Sequence, residues 1–530
     1  MPQTRTQSRL SDRDRRLLFG DEALREGDAV VHFEHGLARY GGRTTVEVEG
    51  TAQDLTVFVY RHGGKLMLPA VEGRDFWLYG APADDVQLDR LDAGDWTARR
   101  DAMIAELQAA ADGLVDADRA RRAQRARPLS PDADRLAAVE AGFPHAATAD
   151  QDRAVAAVLD DLGRTVPMNR LLIGDVGYGK TEVALRAVAA AALAGRQAVL
   201  AAPTTVLARQ HATTLRDRLD PLGVAVVELS RLTAGADRDD ALAQIASGAA
   251  QVVVGTHALL GEDVAFADLA LTVIDEEQKF GRAQKAGLRA LAPGCHVLGM
   301  TATPIPRSLA AAEIGLVDVS VLATPPAARH PVETRIARPA PDALRDAVAA
   351  EVARGGQAFV VCPRIADLAR VAEVLAGTAD VGHVVAHGQL PEDEMDARVQ
   401  RFMDGDVDVL LSTTIVESGL DNPRANAMVV CDAETFGLTQ LHQLRGRIGR
   451  ADVPARMLLL SETDPDAEDD AARRLAAFAE MSEPGCGFRL ARADRDLRGF
   501  GELDGEAQSG QVSRLGLGLY RHVLRTRAAA

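Results

Sequence analysis

The chain of 530 residues is poor in cysteine, aromatics and lysine, and each scarcity narrows what it can be. Its four cysteines, Cys295, Cys362, Cys431 and Cys486, are too few for a disulfide framework and too scattered for a zinc pattern, so they read as buried thiols in a reducing cytoplasm. Aromatic residues make up 4% of the chain against 47% hydrophobic overall, which predicts a core of Ala, Val and Leu with much helix. No apolar run approaches the roughly 18–20 residues that span a membrane. The arginine-bearing start, MPQTRTQSRLSDRDRR, is not followed by the apolar segment of a secretory signal. The net charge of −17 argues against generally sticky nucleic-acid binding, while leaving room for a local groove lined by arginine and backbone amides. Of the 60 basic residues only four are lysines: Lys65, Lys180, Lys279 and Lys285.

A chain this long predicts three or four units rather than one core. Residues 1–24 read as a polar N-terminal arm. From 25 to 92 the short runs AVVHF, LTVFVYR and KLMLPA, punctuated by Gly41-Gly42 and Gly63-Gly64, predict a small all-β barrel. Residues 93–130 read as a connecting helix; its stretch 96–127 lacks Pro and ends in an arginine-rich run. Residues 131–330 and 331–462 each alternate helical stretches with continuous apolar runs. LLIGD, AVLAAP, VVVGT, LTVIDEE and HVLGMTAT lie in the first; QAFVVCP, VGHVVAHG, VDVLLSTT, AMVVCDA and RMLLLS lie in the second. Strands buried on both faces of a parallel sheet have this character. The predicted fold class is therefore α/β, two tandem parallel-sheet domains preceded by the β unit. The acidic ETDPDAEDD (462–470) reads as a solvated linker at the start of the last segment, 463–530, which continues from 471 as helix with a Gly-rich middle.

Chemistry concentrates in two short segments. GDVGYGKT (174–181) follows an apolar strand and opens a helix, the setting of a phosphate-binding loop. Gly174, Asp175, Val176, Gly177, Tyr178 and Gly179 would wrap the phosphates with backbone N–H groups. Lys180 would reach the β- and γ-phosphates of ATP, and Thr181 would ligate Mg²⁺. Where arginine is the default cation, a lysine at this position signals a need for a compact ammonium. VIDEEQ ends a second strand and offers Asp275 for Mg²⁺ and Glu276 to orient or deprotonate the attacking water. QLRGRIGR (443–450) supplies Gln443, Arg447 and Arg450; the two arginines lie three apart and would share one face if the segment were helical. Carried by the other domain, they would make a cleft that ATP closes and product release opens.

GDVGYGKT, PTTVLARQH (203–211), GTHALL (255–260), DEEQKF (275–280), TATPIPR (301–307), AHGQL (386–390), TTIVESGLDNPRAN (413–426) and QLHQLRGRIGR (440–450) resemble, in order, the motifs of superfamily 2 helicases and translocases. Their wording is most similar to the transcription-repair coupling factor family, with RecG branch-migration helicases as relatives. The resemblance covers roughly residues 25–525. It implies two RecA-like domains, a CarD/Tudor-like β module and a helical translocation motif. In FPHAATADQ (143–151) it implies that Phe143 stacks on adenine and Gln151 binds the base edge, with Ala149 in place of a usual proline. In GFRLARADRDLRGFGELDGEAQSG (487–510) it implies that Arg498 and Gln508 couple cleft closure to DNA. Around KLMLPA it implies that Lys65, Leu66 and Pro69 mark a strand edge pairing with the RNA polymerase β subunit. Ala70 stands there in place of a usual valine.

The reading that follows is an ATP-dependent translocase on double-stranded DNA that docks on RNA polymerase and pushes stalled complexes. PTTVLARQH, GTHALL, TTIVES and AHGQL would serve as sequence-independent phosphate tracks, without strand separation. Family members carry a UvrB-like region that recruits UvrA and a restraining C-terminal domain, both outside the matched span, so neither UvrA recruitment nor that autoinhibition is expected. Two alternatives stay open at this point: a RecG-like fork remodeller, and a CarD-like regulator whose motor has become a scaffold.

Overall fold

In the computed structural model the described residues are 12–19, 24–48, 51–69, 76–83, 86–91, 95–302, 311–312, 315–326, 331–417, 419–420, 422–449, 453–463, 470–483, 485–487, 489–490, 518–519, 522–523 and 526. They form two compact units. One comprises residues 1–120 with 304–318 and 491–530; the other comprises 121–303 and 319–490.

The first unit is built on an antiparallel sheet of five strands: β1 (Asp28–His32), β2 (Gly36–Val48), β3 (Thr51–Val59), β4 (Lys65–Pro69) and β5 (Phe76–Pro82), in the order β4-β3-β2-β1-β5. The period of two in a strand sends alternate side chains of β1 to opposite cores. Val30 joins Ala38, Tyr40, Phe58 and Tyr60, whereas Ala29 and Val31 join Leu37, Trp96 and Met103. Trp96 and Met103 come from helix α2 (Asp95–Ala123), which shares its face of the sheet through a hydrogen bond from Trp96 Nε1 to the Phe33 carbonyl, 2.9 Å. A short helix, α1 (Asp12–Phe19), precedes the sheet. Among the described residues β4 pairs with β3 alone, so its other edge carries unpaired main-chain groups.

The second unit holds two parallel sheets, here lobe 1 and lobe 2. Lobe 1 has β6 (Asn169–Gly174), β7 (Gln197–Ala201), β8 (Val226–Leu229), β9 (Val252–Gly255), β10 (Leu269–Ile274), β11 (His296–Thr301) and β12 (Asp318–Leu322), ordered β12-β6-β11-β10-β7-β9-β8. Its helices are α3 (Ala133–Ala141), α4 (Ala149–Leu162), α5 (Lys180–Leu193), α6 (Thr205–Leu219), α7 (Gly235–Ser247) and α8 (Arg282–Arg289). Helix α5 shows how an aromatic-poor core packs: from Val183 to Leu193 every residue is buried, most of them alanine, so helix and sheet approach closely. Each buried Val or Leu along it contributes about 1.5–3 kcal/mol. At the foot of the loop a Cβ on Gly174 would lie 2.9 Å from that of Leu322, so only glycine fits there.

Lobe 2 has β13 (Glu333–Ala337), β14 (Gln357–Val361), β15 (His383–Ala386), β16 (Val409–Ser412), β17 (Ala425–Val430) and β18 (Arg456–Leu460), ordered β13-β18-β17-β14-β16-β15 and parallel at each step. Its helices are α9 (Pro341–Val352), α10 (Ile365–Ala376), α11 (Glu392–Asp404), α12 (Leu438–Arg445) and α13 (Asp470–Glu480). All ten strands expected from the apolar runs are present. The sequence reading missed β8, β12 and β13, and placed the end of α2 four residues late.

The lobes share a local design that the sequence reading did not detect. After β10, Glu276 turns left-handed (φ 46°, ψ 50°), a short 3₁₀ turn follows, Phe280 closes it and Gly281 caps α8. After β17, Asp432 does the same (φ 47°, ψ 50°), Phe436 closes the turn and Gly437 caps α12. In both helices a glutamine at the third position accepts from the cap amide: Gln284 from Gly281 at 2.9 Å and Gln440 from Gly437 at 3.1 Å.

Candidate active site

Ligands of open parallel sheets gather beyond the carboxyl ends of the strands. In lobe 1, β6, β11 and β10 are neighbours, which brings Gly174, Thr301 and Asp275 to one edge. The phosphate loop leaves β6 with Gly177 at φ 77° and Gly179 at φ 78°, both left-handed. Gly179 caps α5 without a side chain, so nothing of its own covers the amides of the first turn. A Cβ on Gly179 would fall 2.1 Å from Gln151 Nε2.

Lys180 turns its ammonium back into the loop, donating to the carbonyls of Gly174 (2.7 Å) and Asp175 (3.1 Å). Burial lowers its pKa, Glu276, Asp275 and Asp175 partly offset that, and Arg447 adds to the lowering. A cation so enclosed gains from an incoming anion. Asp275 is buried too, and burial alone would raise its pKa. The hydrogen bond from His211, 2.7 Å to Nε2, together with the charges of His211 and Lys180, outweighs burial and holds the carboxyl below its ordinary value.

Glu276 is buried and stands in a chain of hydrogen bonds. Its Oε2 accepts from Gln278 Nε2, and Gln278 Oε1 accepts from Thr301 Oγ1 at 2.7 Å. Its other oxygen faces lobe 2, where Arg447 Nη2 lies 3.6 Å away and is itself buried. Arg447 does not sit on a helix as the spacing argument assumed. Helix α12 ends at Arg445 with Gly446 as its cap, and Gly449 turns left-handed at φ 73°. Arg450 lies outside the described residues, as do Arg498 and Gln508.

The remaining loop residues divide by exposure. Gly177 and Thr181 are exposed, whereas Val176 and Tyr178 are buried, so these two can turn only main chain toward a phosphate. The Asp175 carboxylate meets His442 of lobe 2 instead, at 2.6 Å. Gln151 is buried with both amide ends engaged: Oε1 accepts from Thr148 N at 2.8 Å and Nε2 donates to the Tyr178 carbonyl at 2.9 Å. A base edge could reach only the second N–H or a spare lone pair. Phe143 is half-buried, with the Arg218 guanidinium 5.9 Å from its ring centre and His145 edge-on at 5.5 Å. Gln443 is buried in α12.

A second contact joins the lobes away from the loop. Thr205 at the start of α6 donates to Asp396 of α11, Arg209 to Gln400, and Leu207 fills the space beside Gly419. In the β unit the alternation along β4 exposes Lys65, Met67 and Pro69 and turns Leu66 and Leu68 onto the core. Leu66 therefore has only its main chain to offer at that edge, and Met67, 47% exposed, is the apolar side chain facing outward.

Sequence reasoning had given no part to His211, Gln278, Thr301 or His442. All four lie inside motifs it quoted, but nothing local marks their partners. Among the described residues no group of three or more His, Cys, Asp and Glu is arranged to hold a metal, and no helix is long and apolar enough to cross a membrane.

Residues 148–312 match the DEAD/DEAH box helicase family, residues 340–452 the helicase conserved C-terminal domain, and residues 24–72 the CarD-like/TRCF RID domain. The chain is 37% identical to the transcription-repair-coupling factor of Bacillus subtilis over 95% of its own length and 43% of that protein's. It is 39% identical to that of Myxococcus xanthus over 96% of its length and 42% of the relative's. It thus spans less than half the length of these curated relatives. Among solved structures, RecG bound to a three-way DNA junction superposes with a TM-score of 0.66 at 29% identity, covering 86% of this chain and 68% of that one. A yeast Dbp5 bound to RNA and ADP BeF3, at 15% identity and TM-score 0.52, shares the fold alone. The chain thus carries both domains of the superfamily 2 helicases together with a CarD-like domain, and over nearly its whole length it is similar to the transcription-repair coupling factors.

Proposed function

We propose that this chain hydrolyses ATP in the cleft between the lobes to move along double-stranded DNA, and that it docks on RNA polymerase to push or displace a stalled complex. The observation that carries the motor is Arg447 of lobe 2 standing 3.6 Å from Glu276 of lobe 1, beside the half-buried Lys180. A hydrolytic site split between two bodies is complete only when they meet.

In this reading the phosphates lie on the loop amides and draw Lys180 off the carbonyls of Gly174 and Asp175. Glu276, oriented by Gln278 and Thr301, takes the proton of the attacking water. Arg447 and Arg450 meet the charge that grows on the γ-phosphate, worth on the order of 10³–10⁵ in rate. Phe143 offers a ring face to the base and Gln151 its remaining N–H. For Mg²⁺, the ionised Asp275 and the exposed Thr181 hydroxyl are hard oxygen donors. Magnesium characteristically binds through one or two protein oxygens and keeps waters and phosphate oxygens as its other ligands. Held by Asp275 and Thr181, the ion would supply positive charge against that of the phosphates. Arg498 and Gln508 would pass closure on to the DNA.

The free edge of β4 supports β-augmentation by a polymerase β-subunit strand, with Lys65, Met67 and Pro69 on the exposed side. A RecG-like activity is the second reading, favoured by the RecG superposition over 86% of the chain. The test is displacement of a stalled transcription complex from linear DNA by wild type against Lys180→Ala. Wild-type displacement lost in the variant supports the proposal. No displacement, with ATPase stimulated more by branched than by linear DNA, selects the RecG-like reading.

A further inference from the structure

The phosphate loop also grips the other lobe. Asp175 Oδ1 pairs with His442 Nε2 at 2.6 Å, and the next residue, Val176, packs so closely on Gly446 that a Cβ there would lie 2.6 Å from the valine's own Cβ. His442 and Gly446 are four apart, so one face at the end of α12 meets two consecutive loop residues. Arg447 follows directly. Its Nη2 stands 3.6 Å from Glu276 Oε1, so the backbone that the two contacts hold is the one that carries the guanidinium into the cleft.

A third element gauges the same junction. Gly487 lies against the pair: a Cβ on it would fall 2.5 Å from Asp175 Oδ2 and 2.7 Å from His442 Nε2. Its neighbour Cys486 receives Arg445 Nη2 at 3.0 Å, and Arg445 lies over the Phe478 ring at 4.3 Å. The charged and titratable groups facing His442 are therefore Asp175 from the loop, Arg445 from its own helix and Cys486 from the segment beside it.

We infer that Asp175 and His442 are positioning residues, a clasp that sets where Arg447 stands in the cleft, with Gly487 fitted against it. The clasp rests on the reading of Arg447 as the group that meets the γ-phosphate. Its expected signature is a loss of turnover without loss of nucleotide affinity, because sub-ångström placement governs the rate and not the binding.

The experiment is DNA-stimulated ATPase, with kcat and KM measured separately. His442→Ala lowers kcat about tenfold or more with KM little changed, and His442→Gln, which restores a donor near the Nε2 position, recovers most of the loss. Gly487→Ala alone lowers kcat similarly, but adds less than about twofold in the His442→Ala background, where the imidazole is gone and Asp175, released from it, can turn aside. Wild-type kcat in His442→Ala, a change confined to KM, no recovery in His442→Gln, or additive losses in the double variant would each overturn the clasp. Arg447→Ala in the same assay separates the two ideas: if it retains wild-type turnover, the arginine reading fails; if it is inactive while His442→Ala is normal, only the clasp fails.

Discussion

Lobe 1 and lobe 2 fold the same strand–turn–helix unit with opposite chemical results. Glu276 and Asp432 both end a central strand in the left-handed region, within 1° of each other in φ. Around Glu276 are Gln278, Arg447 and Lys180. Around Asp432 are Glu434 and Asp367, with Arg370 and Arg364 as partial compensation; burial and the two acids raise its pKa. One residue earlier, lobe 1 has Asp275 held ionised by His211, and lobe 2 has Cys431 beside Cys362, whose pKa is driven up by the neighbouring thiol and by burial. The first turns differ as well. After β6 come two left-handed glycines and a lysine; after β13 come Arg338, Pro339, Ala340 and Pro341, and prolines offer no N–H to an anion. A strained backbone therefore does not by itself mark a catalytic residue here. The turn belongs to the architecture, and the chemistry depends on what surrounds it.

Breaking the division of labour should have the largest effect. Arg447→Ala is expected to lower DNA-stimulated kcat by roughly 10³-fold or more, although the substitution lies on the lobe without a phosphate loop. A modest loss would mean that lobe 1 hydrolyses unaided. Next comes the matched pair of turns. Glu276→Gln should cost roughly 10²–10⁴ in kcat, whereas Asp432→Asn should leave it within about twofold. Equal losses would show that lobe 2 holds a working counterpart. Thr301→Val removes the far end of the Gln278 relay and should cost about tenfold in kcat, the worth of one buried hydrogen bond.

A pH profile sharpens the contrast further. Burial alone would lower the pKa of His442, but the charge and hydrogen bond of Asp175 outweigh it and lift the group to about 9 from 6.5. Because the folded value is the higher one, the pairing contributes in full below pH 6.5 and is lost as pH rises through about 9. Wild-type kcat should fall across that upper range, and the fall should be missing from His442→Gln. The smallest effect is on stability. Glu276→Gly and Asp432→Gly each relieve a left-handed residue and should stabilise by about 1 kcal/mol, the glutamate more, since aspartate tolerates that region better. The readout is a melting temperature raised by about 2–4 °C. Only the first variant should lose activity.

Most of the fold and the core of the candidate site could be read from residues adjacent in sequence. Apolar runs marked the parallel strands because both faces of those sheets are covered. GDVGYGKT and VIDEEQ were legible because a phosphate cradle and a strand-end acid pair are each local. Those signals fail where partners lie far apart along the chain: His211 meets Asp275 across 64 positions and His442 meets Asp175 across 267. The strands that escaped, β8, β12 and β13, are sheet-edge strands whose partly exposed residues break the apolar run. The inward turn of Leu66 was available in the alternation of KLMLP, where a period of two separates Leu66 and Leu68 from Lys65, Met67 and Pro69.

Helix α6 touches lobe 2 through Thr205 and holds Asp275 through His211, about 9 Å further along its axis at 1.5 Å per residue. As a stiff rod pinned at both places, it gives the cleft a second line of communication that bypasses the arginine. Slippage of α11 past its first turn would tug on the Asp275 carboxylate, proposed above as a magnesium ligand. Timing of hydrolysis would then be set by the α6–α11 contact as well as by Arg447.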